Sequence, residues 1–258
     1  MIARLKNRRI IVFGGGSGIG AATVKRLAQE GAHVCTTDIN LANAEAVAAD
    51  AGANTFALHV DIADEVSVQA AVSTAVERLG GLDGAHVNAA DLRVIMEDSD
   101  ALDLDLAVFD RTVAVNLRGH LLCTRAVLPH LLKNPASAIV YTSSGSAHGA
   151  EPTRPCYAMT KAGINALMRH VAARWGKEGL TANVLAPGFT VTGDMKLAME
   201  NNAEEAMKWS QYYRDRTPHT RLGEAEDHAA VVAMLLSDDG RWINGTIIDV
   251  NGGSLMRG

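Results

Sequence analysis

The chain is poor in cysteine. Cys35, Cys123 and Cys156 are scattered and odd in number, which argues against a disulfide frame or a zinc site and for reduced thiols, with Cys156 read as ordinary packing. No apolar run approaches the roughly 20 residues that a membrane-spanning helix needs. The basic opening MIARLKNRR runs straight into a strand-like segment, without the apolar stretch of a signal peptide. A soluble, cytoplasmic protein with no membrane partner is therefore expected. There is no basic stripe and no interleaving of aromatic with basic residues, and the net charge is -5, so nucleic acid is not an expected partner. Repeats, linkers and low-complexity tracts are missing too. What remains is 258 residues, 48% hydrophobic and 21% charged, enough for one large α/β core.

Short β-branched runs alternate with longer amphipathic stretches. Strands are expected at 9–13, 33–37, 55–60, 83–88, 138–143, 181–186 and 246–250. Helices are expected at about 18–30, 41–51, 64–79, 103–132, 157–177 and 225–237. Such alternation implies right-handed βαβ crossovers and a doubly wound, seven-stranded parallel sheet with helices on both faces, as a single domain. Segments 90–102 and 188–220 break the rhythm. In open α/β sheets ligands bind beyond the carboxyl ends of the strands, where both segments would sit.

The first strand ends in Gly14-Gly15-Gly16-Ser17-Gly18-Ile19-Gly20 and leads directly into a helix. Glycines there allow a tight turn and close approach of the backbone to a pyrophosphate, and the helix N-terminus offers free N–H groups. Asp38 ends the second strand. A carboxylate at that point accepts both hydroxyl hydrogens of an adenosine ribose and repels a 2′-phosphate. Its neighbours Thr37, Ile39 and Asn40 include no cation, so NAD rather than NADP is the expected cofactor; alternatively, Asp38 caps the helix that begins near Leu41. Asp61 closes the third strand similarly, where it either meets the adenine edge or caps the next helix.

Tyr157 and Lys161 stand four apart and so share a helix face. A free tyrosine is a poor base at neutral pH, with a pKa near ~10, and a nearby ammonium is expected to favour its phenolate. Ser144, just past the fifth strand, adds a hydroxyl donor beside that helix. No group with metal-ligand spacing appears, and no metal is expected.

With these residues in view, the sequence resembles the short-chain dehydrogenase/reductase family from Gly14 to Gly253. Gly14, Gly18 and Gly20 match its Gly-x-x-x-Gly-x-Gly loop and Asn88-Ala89-Ala90 its Asn-Ala-Gly. Asn116 matches an asparagine of the long central helix, Ser144, Tyr157 and Lys161 the catalytic set, and Pro187-Gly188 with Thr192 the nicotinamide loop. The resemblance implies that Tyr157 is the general acid/base, that Ser144 hydrogen-bonds the substrate oxygen, and that Lys161 lowers the tyrosine pKa and binds ribose. It implies that the Asn116 carbonyl holds a water linked to the lysine. It also implies cofactor contacts from Ser17, Ile19, Ile62, Ala89 and Thr190, besides the residues just named. Phe13, Ala90 and Asn251 depart from the family pattern, where Thr, Gly and Asp are usual.

The family closes a substrate lid at about 189–220. Here it carries Met195, Met199, Met207, Trp209, Tyr212 and Tyr213, which either shape an apolar pocket or pack as an amphipathic stripe. Arg93, His148 and Arg154 either reach the pocket or are solvated loop residues. A small or cyclic, mainly apolar secondary alcohol or its ketone is the expected substrate. The long helices match those that join subunits in relatives, which implies a homotetramer. An NADPH-dependent ketoreductase, a non-catalytic nucleotide sensor and a dehalogenase are the competing readings. Asp38, the intact Ser144-Tyr157-Lys161 set, and the glycine loop with Lys161 argue against them in turn.

Overall fold

Strand β1 (Arg9–Phe13) is a run of β-branched and aromatic residues buried on both faces. Ile11 and Phe13 enter one apolar cluster while Ile10 and Val12 enter another. That division requires a sheet covered on both sides, as parallel sheets are. In the computed structural model, which describes residues 3–192 and 203–257, the other strands follow the same plan. They are β2 (His33–Asp38), β3 (Thr55–His59), β4 (Gly84–Val87), β5 (Ala138–Thr142), β6 (Thr181–Pro187) and, after the short β7 (Thr190–Val191) and β8 (Gly223–Glu224), β9 (Ile247–Val250). The seven-stranded sheet runs β3-β2-β1-β4-β5-β6-β9, parallel throughout, and β7 pairs with β8 apart from it. The strand order reverses between β1 and β4, opening a crevice at their carboxyl ends.

The helices are α1 (Gly18–Gln29), α2 (Leu41–Ala51), α3 (Glu65–Leu79), α4 (Leu106–Thr112), α5 (Gly119–Leu131), α6 (Pro155–Trp175), α7 (Ala203–Arg214) and α8 (Ala225–Leu235). With the sheet they form one Rossmann-like domain. Among the described residues no helix is long and apolar enough to cross a membrane, and all three cysteines are buried and free.

Two expected helices differ in detail. The one expected over 103–132 starts at Leu106, capped by Asp105, and is interrupted by a π-helical turn at Val113–Arg118. Hydrophobic periodicity does not reveal such a turn, which keeps the apolar face while widening one loop of the helix. The helix expected from 157 starts at Pro155, a residue suited to the first helical position. The segment 188–220 contains β7 and α7. Met195 and Met199 lie outside the described residues, as does the side chain of Trp209.

Candidate active site

The glycine loop closes tightly on the end of β4. Gly14 takes φ +78°, a conformation side chains other than glycine's disfavour, and a Cβ there would lie 2.6 Å from the Ala89 Cα. A Cβ on Gly20 would lie 1.8 Å from the Gly14 carbonyl oxygen. Ser17 precedes α1 with no side-chain cap on its N–H groups, the arrangement an anion uses. Gly20→Ala is therefore expected to force the loop open. It should cost about 1–3 kcal/mol of stability by overpacking and weaken binding of the expected dinucleotide at least about tenfold, as a thermal melt and a fluorescence titration would read. A variant with wild-type binding would contradict this account of the loop.

Asp38 points into the same crevice. Its Oδ2 accepts from the Gly16 N–H at 3.0 Å and its Oδ1 from the Asn40 N–H at 2.9 Å. The cap of α2 is Asn40, which accepts from the Asn43 N–H, so the capping alternative for Asp38 falls away. Asp61 likewise leaves the cap of α3 to Asp64 and accepts from the Ala63 N–H at 2.9 Å. The Ile62 side chain is buried in the core against Gly119, which leaves only its main chain for any ligand. Ile19 packs partly on the core beside α8.

Ser144, Tyr157 and Lys161 meet at the carboxyl end of β5. The Ser144 hydroxyl is near enough to the Tyr157 phenol to influence it. Lys161 is 1% exposed; its Nζ donates to the Thr142 carbonyl at 3.0 Å and lies 5.5 Å from the centre of the Tyr157 ring. Asn116, in the π-turn, is buried; its Oδ1 accepts from the Asp91 N–H at 2.9 Å and its Nδ2 has no protein partner. The electrostatics differ from the expectation that Lys161 would lower Tyr157. Burial raises the phenol above its ordinary value, with the nearby Ser144 hydroxyl pulling the other way. Burial also pushes the Lys161 ammonium down to about 8. Both groups lose hydration together, and burial is the largest cause of each shift.

Hydrogen bonds tie this set to the glycine loop. The Thr142 hydroxyl donates to Asn88 Oδ1 at 3.0 Å, and Asn88 Nδ2 donates to the Gly14 carbonyl at 3.0 Å. Thr142 thus holds Lys161 through its carbonyl and the loop through its side chain. Nor did sequence reasoning single out Asp98. This buried carboxylate accepts from the N–H groups of Cys156, at 3.2 Å, and Tyr157, at 2.8 Å. It caps α6 from 58 residues away, because Arg154, the residue that precedes α6, has no side-chain cap bond. The one local signal is Pro155 opening a helix without Ser, Thr, Asp or Asn before it.

On the other wall, Pro187-Gly188 ends β6 so closely against β9 that a Cβ on Gly188 would lie 2.8 Å from the Asn251 Cα. Thr190 and Thr192 follow, and Thr192 Cγ2 would be 3.3 Å from a Cβ on Gly18, so this loop reaches the glycine loop. Phe189 stacks on Tyr213 of α7 with ring centres 3.8 Å apart, which brings α7 beside the crevice. Met207 and Tyr212 are largely exposed.

Of the three cations considered for the pocket, none is unengaged. Arg93 and Arg111 bind Asp91, and the paired guanidinium of Arg93 takes that carboxyl down to about 2. Arg154 pairs with Glu151 at 2.9 Å and hydrogen-bonds Tyr213. His148 meets Asn165 at 3.1 Å and Arg257 at 3.2 Å.

A family profile described as enoyl-(acyl carrier protein) reductase matches residues 14–254. Levodione reductase of Leifsonia aquatica is 33% identical over 97% of this chain and 95% of its own. A 2,5-dichloro-2,5-cyclohexadiene-1,4-diol dehydrogenase of Sphingobium indicum is 34% identical over 96% and 97%. Among solved structures, a 3-ketoacyl-(acyl-carrier-protein) reductase from Brucella melitensis complexed with NADH superposes with a TM-score of 0.87, at 29% identity over 98% of this chain and 100% of that one. A short chain dehydrogenase from Burkholderia cenocepacia in complex with NADP gives 0.85, at 34% identity over 97% and 99%. With its doubly wound sheet, its glycine loop and its Ser-Tyr-Lys set, the chain belongs to the short-chain dehydrogenase/reductase family of oxidoreductases.

Proposed function

We propose that the protein is an NAD-dependent oxidoreductase that interconverts a secondary alcohol and its ketone, with Tyr157 as general acid/base. The observation that carries this reading is the placement of Ser144, Tyr157 and Lys161 across one crevice from a glycine cradle that admits no Cβ, with Asp38 at the cradle's far end. These residues fit a dinucleotide. Gly14, Ser17, Gly18, Ile19 and Gly20 would hold its pyrophosphate, Asp38 its adenosine ribose, Asp61 and the Ile62 main chain its adenine. Asn88 and Ala89 would line the middle of the site, and Pro187, Gly188, Thr190 and Thr192 would hold the nicotinamide end.

A bound oxidised nicotinamide supplies the hydride acceptor and a positive charge beside the phenol. The protein supplies proton transfer and orientation. In the oxidative direction Tyr157 Oη accepts the alcohol proton, and the Ser144 hydroxyl donates to the substrate oxygen as charge grows on it. The Lys161 ammonium would favour the phenolate and hold the ribose hydroxyls of a bound dinucleotide, while the Asn116 carbonyl would hold a water that returns protons to Lys161. Of the lid expected at 189–220, β7 and α7 lie among the described residues. Arg154 is already paired with Glu151 and so is not a free cation for an anionic substrate. The relatives named for levodione and for a cyclohexadienediol support a cyclic, mainly apolar substrate. A homotetramer in the cytoplasm, with no metal, completes the reading.

NADP is the second cofactor reading, since Lys25 lines a shallow cavity with Gly16 and Asn43. Its ammonium, however, is paired with Asp50 at 2.6 Å, and Asp38 stands beside Gly16. Asp38→Ala is expected to weaken NAD use about tenfold or more, by removing charge-assisted hydrogen bonds, and to admit NADP. Steady-state kinetics with both cofactors tests this, and a wild-type preference for NADP would sink the role given to Asp38.

A further inference from the structure

Thr190 sits on β7 two residues before Thr192, and its hydroxyl has two neighbours. Oγ1 lies 3.1 Å from the Gly188 carbonyl, to which it donates, and 2.7 Å from His228 Nε2. His228 lies on the second turn of α8 and is 1% exposed, and its Nδ1 has no partner. A hydroxyl carries one proton, so the two contacts assign the tautomer. If Thr190 donates to Gly188, then His228 must donate through Nε2–H, and only an Nδ1 lone pair is left over. In the opposite arrangement a buried Nδ1–H would have no acceptor and the Gly188 contact would lose its proton, a costlier outcome.

The imidazole is held neutral by its burial. Burial pushes its pKa down to about 4. The adjacent Asp227 favours the charged form, but its carboxylate is already engaged by Arg221 at 2.7 Å through both oxygens and by the Glu224 N–H. The same elements fix β7 from below. Thr190 is in register with Gly223 and Val191 with Glu224, and α8 packs on α1 through Ala22, Ala225 and Ala229. The helix that begins at the glycine loop and the loop that carries Thr192 are thus joined through α8.

We propose that His228, as the neutral Nε2–H tautomer, is a positioning residue for the cofactor site: it anchors Thr190 and so sets the reach of Thr192 toward the glycine loop. The proposal rests on the dinucleotide reading above. It makes the Thr190–His228 bond a specific determinant of cofactor affinity, rather than a bond that serves the fold alone.

The test uses the full-length protein and NADH as the probe. Thr190→Val and His228→Leu are each expected to weaken NADH binding about three- to tenfold, the loss of one neutral hydrogen bond. The double variant should be no weaker than either single, and His228→Gln, which retains an N–H donor, should recover most of the affinity. Nitrogen-15 NMR of the wild type should show the His228 proton on Nε2. Additive losses in the double variant, unchanged binding in His228→Leu, or a proton on Nδ1 would overturn the proposal. If the wild type itself bound neither NADH nor NADPH, the dinucleotide reading would fall, and this proposal with it. Should His228→Leu not fold, Thr190→Val and the NMR measurement decide the matter.

Discussion

Tyr157→Phe is expected to lower kcat/KM for alcohol oxidation by about 10²- to 10⁴-fold, the usual contribution of a positioned general acid/base. Removing one oxygen deletes the group assigned to take the proton, while the ring, the helix and Lys161 stay in place. NADH affinity should therefore change little, and the melting temperature by no more than the loss of one neutral hydrogen bond, about 1 kcal/mol. The two readouts separate chemistry from binding. A phenylalanine variant that retained turnover would move the proton to another group. One that lost NADH affinity as well would make the phenol a binding residue.

Lys161→Met should act in opposite directions on activity and stability. The ammonium is buried and its pKa stands near 8 instead of the ordinary 10.5, so keeping it charged at pH 7 costs the native state about 3 kcal/mol by linkage. Methionine has nearly the same shape and no charge. It forfeits the hydrogen bond to the Thr142 carbonyl, which returns about 1–2 kcal/mol of the gain. The variant is thus expected to melt a few degrees higher at pH 7, with kcat/KM down by about 10²-fold or more. The stability gap has a defined pH dependence. Between about 8 and 10.5 the unfolded wild-type chain binds a proton that the native state does not, so wild-type stability rises with pH there. The variant has no such group, and its advantage should shrink across that window. Thermal melts of both proteins from pH 7 to 10 check this; a variant less stable at every pH would contradict the burial argument.

The sequence disclosed what local chemistry dictates. Strands came from β-branched runs such as Ile10–Val12, the glycine loop from its spacing, and the Tyr157–Lys161 pair from one helical turn. It left Asp38 open between holding a ribose and capping α2, because a carboxylate just before Leu41 suits either role. Only the fold assigns the cap to Asn40. It gave the sign of the Lys161 effect on Tyr157 from charge alone, whereas burial of both groups governs the direction within the protein. Asp98 and Thr142 escaped for a different reason: their partners at 156, 157 and 161 are distant along the chain. His148 similarly meets Arg257 from 109 residues away. The π-turn around Asn116 left no mark on the apolar pattern, yet it sets the residue that bonds the Asp91 N–H.

The most direct test of the central claim is to supply the purified protein with NAD or NADP and a panel of cyclic secondary alcohols, and to follow the absorbance of reduced nicotinamide. The account predicts reduced cofactor with NAD on at least some members of the panel, and clearly slower turnover with NADP. Preference for NADP would contradict the part given to Asp38. Tight NAD binding with no turnover on any alcohol would contradict the reaction assigned to Ser144, Tyr157 and Lys161.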